Sequence, residues 1–315
     1  MRVHRSGAAP GKMTLLLLGL CTLALSVAGC SSGNSSSSRT SSTAPSTHVS
    51  PGTGQKTRPA APPLALRAYR ATTREGSARV RIEEVEHGLP LHPGQKASPS
   101  TIRISGSGAV SFAESRAKVS IGTSGAGRAE IRQIGYTIYE KLPANGSSGQ
   151  RGRWVRLDLL ELAGGRGEYL AQLASSQLND PVHQLAYLEG AIPAKTRKLG
   201  RGEVRGVTTT RYRMVVDLDR VARQNPAGRK LYEDLKNDLG SSTLPITVWL
   251  DGKDRVRRFE VTVPIEIPRT KPGKGVGSER GRIRISNEYY GFGVPVSVKA
   301  PPKDETTNVK IPTSG

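Results

Sequence analysis

The spacing of apolar positions changes several times along this chain, and each change predicts a different element. Met13 to Val27 is a 15-residue, almost wholly apolar stretch. It is shorter than the ~20 residues that cross a bilayer, and with Arg2, Arg5 and Lys12 ahead of it the pattern is that of a secretory signal. From residue 31 to about Pro62 apolar residues nearly vanish in favour of Ser, Thr, Pro and Gly. Such a segment buries too little surface to offset its ordering entropy, so a disordered tether is predicted, with a mean span of roughly 30 Å.

Helical spacing begins at Leu64, with Leu64, Ala68 and Ala71 on one face of a helix over 64–75. The period then drops to two. Ala78, Val80 and Ile82 alternate with Arg79, Arg81 and Glu83, and the same alternation recurs at Ile102 and Ile104, at Val119 and Ile121, at Ile131 and Ile134, and through Ile138, Trp154, Val155 and Leu157. Strands with one wet face imply an antiparallel sheet. Leucines at helical spacing then predict two helices, 166–178 and 181–190, the second opened by Asp180-Pro181. Strand patterning returns at Thr208 to Leu218. A helix is expected over Gly228 to Leu239, stopped by Gly240, and a hairpin from Ile246 to Val263 around Asp251-Gly252. Strands at Arg282–Ser286 and Val294–Lys299 complete about ten.

The fold class read from this pattern is α+β: an antiparallel sheet large enough to curl, with amphipathic helices to cover its concave side. Boundaries are expected at 1–29 (signal peptide), 30–62 (tether), 63–303 (one folded domain) and 304–315 (flexible tail).

Composition narrows the chemistry. The two cysteines are Cys21, inside the signal, and Cys30, so no disulfide or thiolate metal site is expected. Residues 1–29 carry three basic and no acidic side chains, so their removal takes the formal charge from +21 to +18. That charge suits polyanionic surroundings. The arginines and lysines occur singly along strands, without the compact basic block and aromatics of a nucleic-acid site, and no nucleic-acid partner is expected. His87, His92 and His183 show no metal-ligand spacing, and no nucleophile elbow, phosphate loop or dinucleotide fingerprint occurs. Neither an enzyme nor a cofactor is expected.

Val27-Ala28-Gly29-Cys30 has the form of a bacterial lipobox. The resemblance implies cleavage before Cys30, acylation of that cysteine by diacylglycerol and palmitate, and a lipid anchor in the outer face of the cell membrane. Further on, Pro245-Ile246-Thr247-Val248-Trp249-Leu250-Asp251 with Arg255-Val256-Arg257-Arg258, the strand Val207 to Tyr212, and the closing Tyr290-Gly291-Phe292-Gly293-Val294-Pro295-Val296 resemble the LppX/LprG group of envelope lipoproteins, relatives of the LolA carrier fold. The likeness covers roughly residues 63–303. It implies an incomplete antiparallel barrel closed by helices around a hydrophobic cavity, and a monomer that binds the acyl chains of a lipid or glycolipid for transport or presentation. The Pro-rich Leu89–Thr101 loop and a Gly- and Lys-rich insertion at Lys271–Gly277 depart from that pattern.

On that reading the cavity-lining candidates are Val80, Ile82, Ile104, Phe112, Leu173, Leu185, Met214, Val216, Val248 and Val263, with Arg211, Arg213, Arg257 and Arg258 either headgroup contacts at the mouth or solvent-facing side chains. A one-residue register error flips a strand's whole set. Two other functions fit the same pattern: a lipid-sensing regulatory module of the MucB/RseB type, held to a membrane protein partner, and a wall-polymer binder acting through charge.

Overall fold

The computed structural model describes residues 61–88, 101–123, 128–141, 152–162, 179–271 and 274–308. The signal, the tether, the 89–100 loop, the predicted 166–178 helix and the last seven residues lie outside the described residues.

Among the described residues twelve strands form one open sheet, against about ten expected from the sequence. They are β1 (Ser77–His87), β2 (Thr101–Ser111), β3 (Arg116–Thr123), β4 (Arg128–Ile134), β5 (Thr137–Lys141), β6 (Trp154–Asp158), β7 (Arg197–Val204), β8 (Val207–Asp217), β9 (Thr243–Leu250), β10 (Val256–Lys271), β11 (Lys274–Tyr290) and β12 (Thr306–Asn308). Their order is β12-β6-β5-β4-β3-β2-β1-β11-β10-β9-β8-β7, so the two edge strands do not pair with one another and the sheet stays unclosed. Every pair is antiparallel except β12 with β6. The observed fold is the expected curled, mostly antiparallel sheet with a few helices on one side.

Alternation decides which face is covered. On β1 the side chains of Ala78, Val80 and Ile82 are buried while those of Arg79 and Arg81 are exposed. The same parity continues across the ladder through Tyr289 and Ile285 on β11, Phe259 and Val261 on β10, and Val248 and Ile246 on β9. These inward residues form one apolar cluster.

The cover is built from short pieces. The predicted first helix is present as Leu64–Thr73, and Thr72 Oγ1 accepts from the Val256 backbone N–H at 2.8 Å, fixing its end to β10. The predicted helix after Gly228 is present at Arg229–Asp238, with Leu231 and Leu235 buried. A helix the alternation did not reveal, Leu218–Gln224, follows β8 directly. Its N-cap is Asp217, whose carboxylate accepts from Arg220 N–H.

The predicted helix over 181–190 is instead a 3-10 helix, Gln184–Gly190. At three residues per turn Leu185 and Leu188 lie above one another, so both enter the core. Gly190 brings this segment against Leu218–Gln224: a Cβ there would lie 2.3 Å from a Val221 methyl carbon and 2.6 Å from the Asp217 carbonyl oxygen. Asp180 opens the segment as the sequence suggested, accepting from the backbone N–H groups of Val182 and His183.

Two expected features of the second half are corrected. Residues 294–299 are not a strand. They cross the outer face of β3 and β4, where Arg116 and Arg132 donate to the carbonyls of Val298 and Lys299, replacing ladder hydrogen bonds. The chain then reaches β12, beyond the 303 boundary read from the sequence. The Lys271–Gly277 insertion is strand rather than loop on both sides of its tip, with Arg269 opposite Gly277 and Lys271 opposite Lys274. Among the described residues β9 accompanies β10 as far as Val261, and β1 accompanies β11 as far as Arg282, so the rest of this hairpin is an arm paired only with itself.

Candidate functional site, the concave face

The inner face of β1–β5 carries an apolar recess. Its walls are Ile82, Ala117, Val119, Ile121, Ile131 and Ile138, its polar rim is Gln133, Asn179 and Asp180, and its volume is about 50 Å³. Gly106 and Gly108 let β3 pack tightly on β2 beside it. Both point inward on β2, and β3 leans over them so closely that a Cβ at Gly108 would lie 2.0 Å from the Lys118 carbonyl oxygen. A second cavity of about 10 Å³ lies among Tyr136, Leu159, His183, Tyr187, Leu231 and Tyr232.

Of the residues expected to line a cavity, Val80, Ile82, Ile104, Leu185, Met214, Val216, Val248 and Val263 all belong to the apolar cluster, and Phe112 packs against it half-buried. Leu173 lies outside the described residues. Among the described candidates only Ile82 borders the recess itself. The others are packed: Met214, Val216 and Val248 are fully buried inside the cluster that also holds the inward residues of Gln184–Gly190 and Leu218–Gln224. The recess sits under the 179–181 segment, lined mostly from β3–β5, which are five to eight strands from β9 and β8 along the sheet. Val119, Ile121, Ile131 and Ile138 were legible as inward positions of alternating strands. What the sequence lacked was the position of the cover.

The arginines assigned to a mouth are placed differently. Arg211 and Arg213 alternate with the buried Met214 and Val216, so they project from the opposite, outer face. Arg258 also points outward, bound to Glu288 and lying over the Trp249 ring. Arg257 is buried beside Asp251 and the Phe292 ring.

Polar clasps hold the cover to the inner face. Glu84 Oε2 accepts from Asn179 Nδ2 at 2.6 Å, and Asp180 Oδ2 accepts from Gln133 Nε2 at 2.8 Å. Tyr289 donates to the Pro181 carbonyl and to Gln184, whose oxygen also accepts from Asn287. Asp180 Oδ2 lies 2.6 Å from His183 Nδ1, and the His183 ring stacks on Tyr136 at 4.3 Å. Burial by itself raises the Asp180 carboxyl, but the His183 cation, its hydrogen bonds and the Gln133 amide outweigh it and hold Asp180 below the usual carboxylate range. His183 moves the other way: burial lowers it, and the Asp180 charge and hydrogen bond raise it above its ordinary value.

Further carboxyls share the apolar side. Glu84 and Glu86 have the parity of Val80 and Ile82, and both are buried. Burial raises Glu86, partly countered by a hydrogen bond with Glu84. Glu140 on β5 lies between Ile131 and Val155, and burial pushes it up to about 8. These groups were missed from sequence because glutamate reads as a wet position. Their even spacing from Val80, and from Ile138, was the available signal. Among the described residues no cluster of three or more His, Cys, Asp or Glu is placed to hold a metal, and no helix is long and apolar enough to cross a membrane.

No protein-family model and no curated protein matches the chain. Among solved structures it is similar to the Mycobacterium tuberculosis lipoprotein LppX, at 18% identity and a TM-score of 0.38, over 75% of this chain and 98% of that one. It is also similar to LprF from Mycobacterium bovis, at 16% identity and a TM-score of 0.35, over 76% of this chain and 95% of that one. A third similar structure is a putative outer membrane lipoprotein-sorting protein domain from Vibrio parahaemolyticus, at 10% identity and a TM-score of 0.21, over 74% of this chain and 92% of that one.

Proposed function

We propose that this chain is an envelope lipoprotein, anchored through acylated Cys30 in the outer face of the cell membrane, that takes the acyl chains of a lipid or glycolipid onto its concave face. The observation that carries the reading is the recess under the 179–181 segment, an apolar floor spread over β1–β5 beneath a short stretch held by side-chain hydrogen bonds. Its floor of isoleucine, valine and alanine matches hydrocarbon. Burial against it contributes roughly 25 cal/mol per Å² of apolar surface removed from water.

The closed recess is smaller than the ~300–1,000 Å³ of ordinary ligand pockets. Loading therefore requires the 179–181 stretch to lift from the inner face, while Leu185, Tyr187 and Leu188 stay packed in the core. The contacts to be broken are those of Glu84 with Asn179, Gln133 with Asp180 and Tyr289 with the Pro181 carbonyl. Hydrogen bonds of this kind contribute about 1 kcal/mol each, more where a charge is involved, so an incoming chain that buries a few methylenes at ~0.8 kcal/mol each offsets them.

The test is to express residues 31–315, purify the protein under native conditions, denature it and identify the released material by lipid mass spectrometry. A stoichiometric acyl-chain species is expected and names the ligand class. A protein that stays empty after incubation with total envelope lipid overturns the carrier reading.

A further inference from the structure

We infer that the outer face of the β8–β9–β10–β11–β1 part of the sheet is a docking surface for an anionic bilayer, which lays the domain against the membrane. The face is dominated by arginine. Arg79 and Arg81 on β1, Arg282 on β11, and Arg211 and Arg213 on β8 are exposed, and none has an ion-pair partner among the described residues. The acidic side chains between them are already engaged. Glu288 accepts from Arg205 and Arg258, Glu260 from Arg284, and Glu83 from Arg103. Neutralisation of the acids thus leaves a residual positive field set by the five free guanidiniums.

The arginines surround the middle of this face, which the turn between β7 and β8 crosses, Arg205 binding Glu288 and lying over the Tyr290 ring. Ladder register aligns Arg81 with Glu288, Glu288 with Arg258, Arg258 with Trp249 and Trp249 with Arg211. At about 4.8 Å per strand, Arg81 and Arg211 stand ~19 Å apart measured along the curl of the sheet. Arg213 and Arg282 extend the array along the strands. Charges spread in two dimensions over a sheet face fit an array of phosphate headgroups better than one polymer strand held in a groove.

The entry point of the chain agrees. Residue 64 begins the first helix, Pro62 O accepts from Arg67, and Arg67 Nε donates to Asp254 Oδ2 at 2.9 Å in the turn between β9 and β10. The segment leading to Cys30 therefore leaves at the end of the sheet that carries Arg79, Arg211 and Arg258. In the other half of the sheet the 294–302 segment crosses this same outer side, bound by Arg116 and Arg132, and those arginines are spent on protein carbonyls. The choice of a bilayer over other polyanions rests on the anchoring part of the proposed function, while the lipid cargo plays no role in it.

The test uses residues 31–315, which contain every described contact and lack Cys30, so binding reports the face and not the anchor. Folding of each protein is checked by thermal unfolding. Binding is measured by co-sedimentation with vesicles of pure phosphatidylcholine and of equimolar phosphatidylcholine and phosphatidylglycerol, from ~0.05 to ~0.5 M NaCl. The expected result is binding to the anionic vesicles alone, weakening as salt rises. The triple variant Arg79→Glu, Arg81→Glu, Arg211→Glu is expected to bind at least about 100-fold more weakly. A control with the same net charge, Lys195→Glu, Arg223→Glu, Arg229→Glu, changes exposed cations off this face and is expected to bind within about threefold of the unaltered protein, since charges beyond a Debye length contribute little.

Equal loss in both triple variants overturns the inference, because net charge and not this face then governs binding. Equal binding to both vesicle types overturns it as well, as does preferential binding of soluble polyphosphate over anionic vesicles at matched phosphate concentration. The anchor is tested separately by the mass of the N-terminal peptide from the native envelope protein, so either reading is able to fail alone.

Discussion

Replacing Glu140 by glutamine should make the protein more stable at neutral pH and remove part of its pH dependence. Glu140 is 7% exposed on the inner face of β5 and has no hydrogen-bond or ion-pair partner among the described residues. Its carboxyl titrates near 8 in the folded chain, against an ordinary value of 4.5, because burial disfavours the charged form. Between those values the folded protein holds a proton that the unfolded chain has released. Stability therefore falls as pH rises from about 4.5 to about 8 and levels off above that. At pH 7 the span covered is about 2.5 pH units, which at 1.36 kcal/mol per unit costs ~3 kcal/mol. Glu140→Gln keeps the shape and removes the titration, so the variant should exceed the parent by about that amount at pH 7, with the difference shrinking toward zero at pH 4.5. For a domain of this size that corresponds to roughly 6–12 °C in Tm at neutral pH. Urea unfolding of residues 31–315 at several pH values gives the comparison directly. Parallel curves for parent and variant, or a variant less stable at pH 7, would refute the assignment of a buried, proton-retaining carboxyl.

Three other changes probe separate parts of the fold. Gly108→Ala puts a Cβ into the backbone of β3, 2.6 Å from the Val119 Cα, and should cost about 3 kcal/mol or prevent folding, read by urea midpoint or soluble yield. Thr72→Val keeps the volume of the side chain but leaves the buried Val256 N–H without its acceptor, so a loss of ~1–3 kcal/mol is expected in the same assay. For the Asp180–His183 pair, the raised His183 contributes stability that is present below its ordinary value of 6.5 and lost as pH climbs through its folded value, while the lowered Asp180 contributes stability present above 3.8 and lost on acidification. Imidazole resonances followed by NMR should give a His183 midpoint above 6.5, and Asp180→Asn should bring it down; an unchanged midpoint would contradict the pairing.

Particular elements show where the sequence was readable. The alternation of β1, the hairpin around Asp251-Gly252 and the leucine spacing of Arg229–Asp238 are local signals, and each element formed where its own residues placed it. The seven-residue helix Leu218–Gln224 was hidden because it is two turns long and continues directly from a strand. The segment after Gly293 looked like a strand because its valines alternate. Its backbone partners turned out to be arginine side chains more than 160 residues earlier in the chain, a pairing no local pattern encodes.

The concave site divides in the same way. Parity along each strand was enough to identify the inward residues, since successive side chains must point to opposite faces. Val80, Ile82, Val119, Ile121 and Ile131 follow from it alone, and so do the outward arginines that make up the basic face. Which inward residues are packed and which border open space depended on the three-dimensional placement of the cover: Met214 and Val248 lie deep in the packed part of the core, while Ile82 and Ile131 border the recess. Glu84, Glu86 and Glu140 were not read as buried for the same reason, because burial of a carboxyl depends on what crosses above it. Local periodicity specifies a direction from the backbone, and only tertiary structure supplies what lies in that direction.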